Sequence, residues 1–340
     1  MDSERILVLG AGELGMAVLQ ALAGSAGRSG TATVSVLLRP TTVESSDPAK
    51  QHELARIRQW GVAIEPGDVV AWTSAQLAEV FSGFDAVISC VGFSAGEGTQ
   101  LKLARAALAA GVRRFVPWQF GVDYDVIGRG SPQDLFDEQL DVRDLLRSQR
   151  DTEWLIISTG MFTSFLFDPS FGVVDVPGRT VAALGSWDTA VTVTTPEDIG
   201  ALTARILFAV PRFANEVIYL AGDTLTYADL ADLGEDVLGR KVDRVLRPLS
   251  SLIEESEHDP DDSMKKYRAV FAQGKGVAWD IGDTFNGRYN IATTTAAQWA
   301  RDNLKPAQVC RRGSERMAPC ASTSAATMPV TNSKKRSSST

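Results

Sequence analysis

Short apolar segments alternate with helical segments through the first half of the chain, and this alternation restricts the fold more than any other feature. Apolar runs predict strands at residues 6–10, 34–38, 61–68, 85–92, 114–121 and 152–158. Helices with apolar residues every three or four positions are predicted at 13–23, 48–60, 74–81, 98–110 and 133–149. Because parallel strands need crossover connections, the sequence predicts an α/β fold with a Rossmann-like, doubly wound parallel sheet.

The turn after the first predicted strand is rich in glycine. Its sequence, GAGELG, follows the apolar run directly and opens the first helix. In this context a G-x-G-x-x-G turn brings the free N–H groups of the helix N-terminus against a dinucleotide pyrophosphate. Gly10 would permit the tight turn, Gly12 would let the phosphates approach the backbone, and Gly15 would let the helix pack closely on the strand. Glu13 and Leu14 are predicted to contact the cofactor as well. The alternative is a tight strand-to-helix turn without a ligand.

The second half of the chain is less regular and mixes aromatic residues with glycine and proline. We predict a dinucleotide-binding domain at residues 1–158 and a smaller C-terminal substrate lobe at 159–305. A strand at 216–222 is expected to rejoin the sheet. Residues 306–340 are rich in Ser, Thr, Ala and Pro and carry six Lys or Arg residues against one Glu, a composition that predicts a disordered tail.

Charge and composition argue against several classes of function. The net charge of -8 disfavours nucleic-acid binding, which needs a basic surface. Three cysteines and two histidines without metal-ligand spacing predict neither a disulfide framework nor a metal site. No apolar run reaches the roughly 18 residues of a membrane helix, and no secretory signal is visible. We therefore expect a cytoplasmic monomer or homodimer that binds a small-molecule substrate.

The residue after the second predicted strand indicates which nicotinamide cofactor is bound. NAD-binding sites commonly place an acidic residue there to hold the ribose, whereas this chain has Arg39. A guanidinium group suits the 2′-phosphate of NADP(H), and Lys50 adds a second positive charge from the following loop. The sequence therefore predicts NADP(H) as the cofactor. The alternative for Arg39 is a surface arginine at the end of a strand.

Six segments carry a resemblance to a known family. They are VLGAGELG, the loop from LLRP to SDPAK, AVISCVG, AGVRRFVPWQFGVDYD, LIISTGMF and TPEDIG, within residues 5–305. With them the chain resembles the NmrA-like and isoflavone-reductase-like proteins, an atypical branch of the short-chain dehydrogenases and reductases, and in particular a fungal subgroup. The resemblance implies NADPH-dependent reduction of small aromatic natural products. Other members of the family are regulators that bind NADP without turnover.

The resemblance also assigns residues to the cofactor and to the substrate. Arg39 and Lys50 match the two basic residues that hold the 2′-phosphate, although the loop is two residues longer here. Further cofactor contacts implied by the resemblance are Val91, Gly92, Phe93, Trp118 and Phe120. The expected substrate contacts are Gln119, Met161, Phe162 and Phe165. Aromatic side chains near these strand ends favour a pocket for a flat substrate, and ordinary core packing is the alternative.

The predicted helix at 133–149 contains the expected catalytic position. The reductases of this family have a lysine there, within the pattern F-x-x-K-x-x-V-R. This chain matches Phe136, Val142 and Arg143, but Gln139 stands in place of the lysine. A glutamine can hydrogen-bond a ribose or a carbonyl, but it cannot deliver a proton. The resemblance therefore places Gln139 in the active site without an ionisable group.

The proton donor is a second open question, because the YxxxK pair of typical short-chain dehydrogenases is absent. The residue four positions after Tyr124 is Gly128 rather than lysine. We predict Tyr124 as a catalytic residue beside Gln139, with Asp123 and Glu138 as the other candidate donors. Packing of Tyr124 as an ordinary core aromatic is the alternative.

Three functions remain open from the sequence. The leading hypothesis is an NADP(H)-dependent oxidoreductase that acts on a small, aromatic secondary metabolite. The second is a non-redox isomerase or cyclase on the same fold, which the absence of the lysine favours. The third is a redox sensor that binds NADP without catalysis and signals to a protein partner.

Overall fold

Seven parallel strands form the central sheet of the computed structural model, which describes residues 3–304. The predicted tail at 306–340 lies outside these residues. Numbered along the chain, the strands of this sheet are β1 Glu4–Leu9, β2 Ala32–Leu38, β3 Ala63–Pro66, β4 Ala86–Ser89, β5 Arg114–Val116, β6 Glu153–Ser158 and β11 Glu216–Tyr219. Their order across the sheet is β11-β6-β5-β4-β1-β2-β3. This order confirms the predicted Rossmann-like, doubly wound α/β fold.

Helices cover both faces of the central sheet. One face carries α1 Glu13–Ser29, α3 Pro48–Gln59 and α9 Pro196–Leu207, and the other carries α4 Ser74–Phe81, α5 Thr99–Ala109 and α7 Leu135–Arg147. Alternate residues of β1 point to opposite faces, so Ile6 and Val8 pack under α1 and α9 while Leu7 and Leu9 pack under α4 and α5. This two-sided burial explains why the central strands are almost wholly apolar.

Two small three-stranded sheets follow the sixth strand. Their strands are β7 Met161–Phe162, β8 Val174–Asp175, β9 Thr180–Leu184, β10 Ala190–Thr194, β12 Asp223–Thr226 and β13 Asp243–Arg247, in the orders β12-β10-β7 and β13-β9-β8. The remaining helices are α2 Pro40–Val43, α6 Tyr124–Ile127, α8 Thr163–Leu166, α10 Tyr227–Leu238, α11 Leu249–His258, α12 Ser263–Ala272, α13 Phe285–Arg288 and α14 Ala296–Asn303. Apart from α2 and α13, which pack on the core of the central sheet, these elements enclose a separate apolar core.

The C-terminal half of the chain also contributes to the central sheet. Strand β11 pairs with β6 in parallel, and α9 packs against α1 on one face. Buried Arg114 ties this region to β5, because its guanidinium donates to the carbonyl oxygens of Leu207 at 3.0 Å and Phe213 at 3.4 Å. The division of the chain at residues 158 and 159 stays a prediction.

Two predicted element boundaries differ from the structure by five or more residues, each for an identifiable reason. Helix α1 continues to Ser29 rather than ending at residue 23, because the apolar stripe of Val18 and Leu22 extends one further turn to Ala26. Strand β5 ends at Val116 rather than at residue 121, since Pro117 has no N–H to donate to a neighbouring strand. The early end of β5 leaves the following residues free to line the edge of the sheet.

None of the helices between residues 3 and 304 is long and apolar enough to cross a membrane. The same residues contain no group of three or more His, Cys, Asp or Glu side chains that could hold a metal ion.

Candidate functional site

The predicted site residues follow neighbouring strands at one edge of the central sheet. The last residues of β1, β2 and β4 lie side by side, with Leu9 beside Leu37 and Ser89, and Ile88 of β4 lies beside Val116 of β5. The loops after these strands therefore leave the sheet together at its carboxyl edge. In open α/β sheets, ligands bind outside this edge, at the point where the strand order reverses between β1 and β4.

The turn between β1 and α1 has the geometry that a pyrophosphate-binding turn requires. Gly10 has φ +83°, which favours glycine, and its N–H donates to the carbonyl oxygen of Leu37 at 3.2 Å. A Cβ on Gly15 would lie 2.3 Å from the carbonyl oxygen of Gly10, so only glycine allows this packing. A Cβ on Gly12 would meet no atom within 4 Å. The backbone is thus open at Gly12, where the phosphates would approach.

The two side chains inside the turn lie in different surroundings. Leu14 is buried in the core beneath α1, whereas Glu13 is exposed and accepts a hydrogen bond from Ser164 Oγ at 3.3 Å. Partial burial of the carboxyl group raises the pKa of Glu13, and the nearby Glu197 raises it further. Leu14 therefore supports the turn from below, and Glu13 is the side chain at its outer surface.

The two basic residues after β2 differ in whether an acidic side chain already binds their charge. Arg39 is exposed at the start of α2 and makes no ion pair within the described part of the chain. Lys50 lies one helix later and pairs with Glu53, with 2.8 Å between Nζ and Oε2. The Arg39 guanidinium, which has no ion-pair partner among residues 3–304, fits a 2′-phosphate, whereas Lys50 would first have to leave Glu53.

The loop after β4 lies against the glycine turn. The Val91 side chain would be 3.2 Å from a Cβ on Gly10, so the two turns are in contact. The buried amide of Gln100 holds this loop by donating to the carbonyl oxygen of Val91 at 2.8 Å. The sequence analysis missed Gln100. Its signal was a polar residue on the apolar stripe of α5, three positions before Leu103.

The segment after β5 continues this line of contacts. The Trp118 indole packs against Gly92 and meets the Phe93 ring edge-on, with 4.7 Å between ring centroids. Phe120 is buried in the apolar core against which Trp118 also packs. Of the two aromatic residues predicted beside the cofactor here, Trp118 is the half-buried one that remains accessible.

A polar network centred on three fully buried side chains links this segment to α7. Gln119 Nε2 donates to the main-chain oxygen of Gln139 at 2.9 Å and to its Oε1 at 2.8 Å. Arg143, one turn after Gln139, donates from Nε to Gln119 Oε1 at 2.8 Å. The guanidinium also bonds Asp125 Oδ2 at 2.6 Å and lies 3.5 Å from Asp123 Oδ1. The structure thus brings Gln119 and Gln139 together and adds Arg143, to which the sequence analysis assigned no role.

The three candidate proton donors lie in distinct environments. Tyr124 is buried, with the Arg143 guanidinium carbon 5.3 Å from its ring centroid, and burial raises its pKa. Asp123 accepts a hydrogen bond from Tyr219 Oη at 2.7 Å and lies 3.5 Å from the Arg143 guanidinium, so other side chains already engage both of its oxygens. Both oxygens of Glu138 are occupied by backbone N–H groups. The side chain of Tyr124 is a neutral phenol at neutral pH, as that of tyrosine ordinarily is.

Glu138 caps helix α5 from the neighbouring helix. Its two carboxylate oxygens accept the N–H groups of Gly98 at 3.0 Å and Leu101 at 2.9 Å. We expect Glu138→Ala to lower the free energy of unfolding by about 1 kcal/mol, as for other lost N-terminal caps. Urea denaturation followed by tryptophan fluorescence measures this. Glu138→Gln, which keeps an acceptor oxygen, should lose less, and equal losses would contradict the capping role.

A line of aromatic rings runs from Phe93 into the C-terminal core. The Phe136 ring is 6.1 Å from Phe93, 5.0 Å from Tyr124 and 5.8 Å from Tyr267, centroid to centroid. Tyr267 of α12 is in turn 5.8 Å from Phe165. Phe165 therefore lies on this aromatic line, and Tyr267 is a member of it that the sequence analysis missed.

The other two predicted substrate residues, Met161 and Phe162, form strand β7. Met161 is buried, and Phe162 is half-buried against the core of the central sheet. Both follow β6, and the backbone of Thr159 just before them donates to the carbonyl oxygen of Gly121 at 2.9 Å. This bond joins the segment after β6 to the segment after β5, so Met161 and Phe162 lie at the same sheet edge as Gln119.

The ion pairs of Asp125 predict a pH dependence of stability. Hydrogen bonds from Arg147, with the nearby charge of Arg143, lower the pKa of Asp125 to about 2. This carboxylate therefore stabilises the fold above the pKa of an unfolded aspartate, about 3.9, and the contribution is lost as pH falls towards 2. Because the side chain is 37% exposed, the contribution should not exceed about 1 kcal/mol.

Urea denaturation between pH 5 and pH 2 tests this expectation. The Asp125→Asn variant should show a shallower loss of stability over this range than the unchanged protein. Asp302→Asn, at an exposed position of α14, is the control and should follow the unchanged protein. Parallel curves for Asp125→Asn and the unchanged protein would contradict the expectation.

Comparisons with known proteins agree with this geometry. The model of the NmrA-like family matches residues 2–282. An NmrA-like family domain-containing oxidoreductase of Gibberella moniliformis is 47% identical over 302 residues, covering 88% of this chain and 98% of the relative. Phenylcoumaran benzylic ether reductase 1 of Arabidopsis thaliana is 28% identical, covering 83% of this chain and 91% of the relative.

A solved structure shares the fold at lower identity. The binary complex of leucoanthocyanidin reductase and NADPH from Vitis vinifera superposes with a TM-score of 0.70 and 21% identity, covering 87% of this chain and 97% of that one. The resemblance inferred from the sequence is therefore confirmed. Because the family model spans most of the sequence and the fungal relative is similar over nearly its whole length, the chain belongs to the NmrA-like family.

Proposed function

We propose that this protein is an NADP(H)-dependent oxidoreductase that acts on a small, aromatic secondary metabolite. One observation carries the proposal: the open glycine turn at Gly12 lies at the same sheet edge as Arg39 and the aromatic line that starts at Phe93. In the part of the chain that the structure describes, the Arg39 guanidinium makes no ion pair. The names of the relatives add support, since they include an oxidoreductase and a benzylic ether reductase.

Different residues of this chain would bind the different parts of the cofactor. The backbone N–H groups at the start of α1 would hold the pyrophosphate, and Arg39 would hold the 2′-phosphate. Val91, Gly92 and Trp118 would line the edge of the sheet beside the cofactor. When bound there, NADPH would supply the hydride.

A group other than Gln139 would have to donate the proton. Gln139 is an amide and has no proton to transfer at neutral pH. Tyr124 is a neutral phenol at neutral pH, as tyrosine ordinarily is, and it packs against Phe136 on the aromatic line. Burial raises the pKa of Tyr124, which makes it a weaker acid, so it would protonate only a strongly basic product anion. We therefore assign the proton to Tyr124 or to a water molecule.

Calorimetric titration with NADPH, NADP⁺ and NADH tests the proposal first. We expect tight binding of NADPH and NADP⁺ and much weaker binding of NADH. Aromatic substrates are then screened for oxidation of NADPH, followed by nicotinamide absorbance. No binding of any cofactor would overturn the proposal, and NADPH binding without turnover of any substrate would favour a sensor.

A second candidate is a non-redox isomerase or cyclase on the same fold. The observation that favours it is the amide at position 139, in a site whose neighbouring groups are an amide and a guanidinium rather than an acid–base pair. Product formed without net consumption of NADPH would distinguish it from the reductase.

We also place this activity in the cytoplasm. Support comes from the cysteine content, because three cysteines in a chain of 340 residues are too few for a disulfide framework and suit a reducing compartment. Among the described residues, Cys90 is a buried thiol without a disulfide partner.

A further inference from the structure

The amide group of Gln139 is only half satisfied in this structure. Its side chain is fully buried, and its Oε1 accepts a hydrogen bond from Gln119 Nε2 at 2.8 Å. Its Nε2 has no hydrogen-bond partner within the part of the chain that the structure describes. A buried N–H group without an acceptor is unfavourable, so an acceptor from outside the protein would stabilise it.

The direction of this amide follows from the chemistry of its neighbours. A guanidinium has only donors, so Arg143 Nε must face the oxygen of Gln119, at 2.8 Å. Gln119 must then turn its nitrogen towards Gln139, and Gln139 must turn its oxygen towards Gln119. Rotating either amide by half a turn would set two donors or two acceptors against each other. Arg143 therefore fixes Gln139 with its N–H groups directed away from Gln119.

The position of Gln139 relates these N–H groups to the proposed site. Gln119 is the next residue after Trp118, which packs on Gly92 at the edge of the sheet. On α7, Phe136 lies one turn before Gln139, and its ring contacts Phe93 and Tyr124. Gln139 thus lies between the segment after β5 and the aromatic line. Because the amide is fully covered, a ligand can reach it only when neighbouring side chains move.

We propose that Gln139 is a fixed, neutral N–H donor for an oxygen acceptor on the aromatic substrate, and that Arg143 and Gln119 are the positioning residues that set its direction. The substrate class is then an aromatic compound with a carbonyl oxygen near the ring, because such an oxygen only accepts hydrogen bonds. The charge of Arg143 polarises the chain of amides towards the acceptor and strengthens the final donor. This inference rests on the proposed small-molecule site.

The variant Gln139→Met tests the inference with little change in shape. Methionine removes the donor, while Gln119 Nε2 keeps its bond to the main-chain oxygen of residue 139 at 2.9 Å. The probes are acetophenone and its oxygen-free analogue ethylbenzene, titrated in the presence of saturating NADP⁺. Gln133→Met is the matched control, because Gln133 is another fully buried glutamine just before α7.

The expected result has two parts. The unchanged protein and Gln133→Met should prefer acetophenone over ethylbenzene, and Gln139→Met should bind acetophenone about five- to tenfold more weakly, with ethylbenzene unaffected. The urea midpoint of Gln139→Met should be unchanged or higher, since an unsatisfied donor is removed, whereas a merely structural role would lower it. The inference would be overturned if the unchanged protein showed no preference for acetophenone over ethylbenzene. It would also be overturned if Gln139→Met bound acetophenone as tightly as the unchanged protein. Titration of each variant with NADPH separates this result from a failure of the proposed function.

Discussion

Replacing Arg39 with serine should weaken NADPH binding by about 30- to 100-fold and leave NADH binding within about twofold. The physical reason is the charge-assisted hydrogen bonding between a guanidinium and a 2′-phosphate, which NADH lacks. Arg39 makes no ion pair within residues 3–304, so its charge is available without breaking another contact. Calorimetric titration of both cofactors measures the two affinities directly.

Two controls separate phosphate binding from general effects of charge. Arg58→Ser removes an exposed positive charge from α3 and should leave both affinities unchanged. Lys50→Ser should weaken NADPH binding by less than Arg39→Ser, because Lys50 already pairs with Glu53. An equal loss of NADPH and NADH binding in Arg39→Ser would mean that Arg39 supports the turn rather than the phosphate.

Replacing Arg143 with methionine should lower the free energy of unfolding by about 3 to 5 kcal/mol. Arg143 is fully buried and satisfies Gln119 Oε1, Asp125 and Asp123 at once. Its removal leaves the largely buried carboxylate of Asp123 with only the Tyr219 hydroxyl as a side-chain donor among the described residues. A buried charge without its partner is costly, because water does not replace the lost hydrogen bonds.

Urea denaturation followed by tryptophan fluorescence measures this loss. Arg147→Met is the matched control, because Arg147 bonds the same Asp125 but is 39% exposed. It should cost less than about 1 kcal/mol, as exposed ion pairs do. Losses of the same size in both variants would show that the cost arises from Asp125 alone rather than from the buried network.

Helix α7 shows how far sequence reasoning reaches in this protein. Its three- and four-residue spacing predicts the helix and its buried face, and the pattern around Phe136 and Arg143 locates the position of interest at Gln139. Glu138 and Gln139 are neighbours on that helix, and both are polar residues that interrupt its apolar face, so the sequence alone does not tell their roles apart. The structure separates them, because Glu138 caps α5 while Gln139 bonds Gln119. No local pattern distinguishes these roles, since both partners come from distant parts of the chain.

The sequence alone predicts the order of strands and helices along the chain, the glycine turn and the basic residue after β2. They depend on local periodicity and on short-range conformational preferences, which act between residues close in the chain. Only the tertiary structure determines the burial of Arg143, the direction of the Gln139 amide and the place of Tyr267 on the aromatic line. Each depends on hydrogen bonds or ring contacts between elements far apart in sequence, which form only when α7 meets α12 and the segment after β5 in the folded chain.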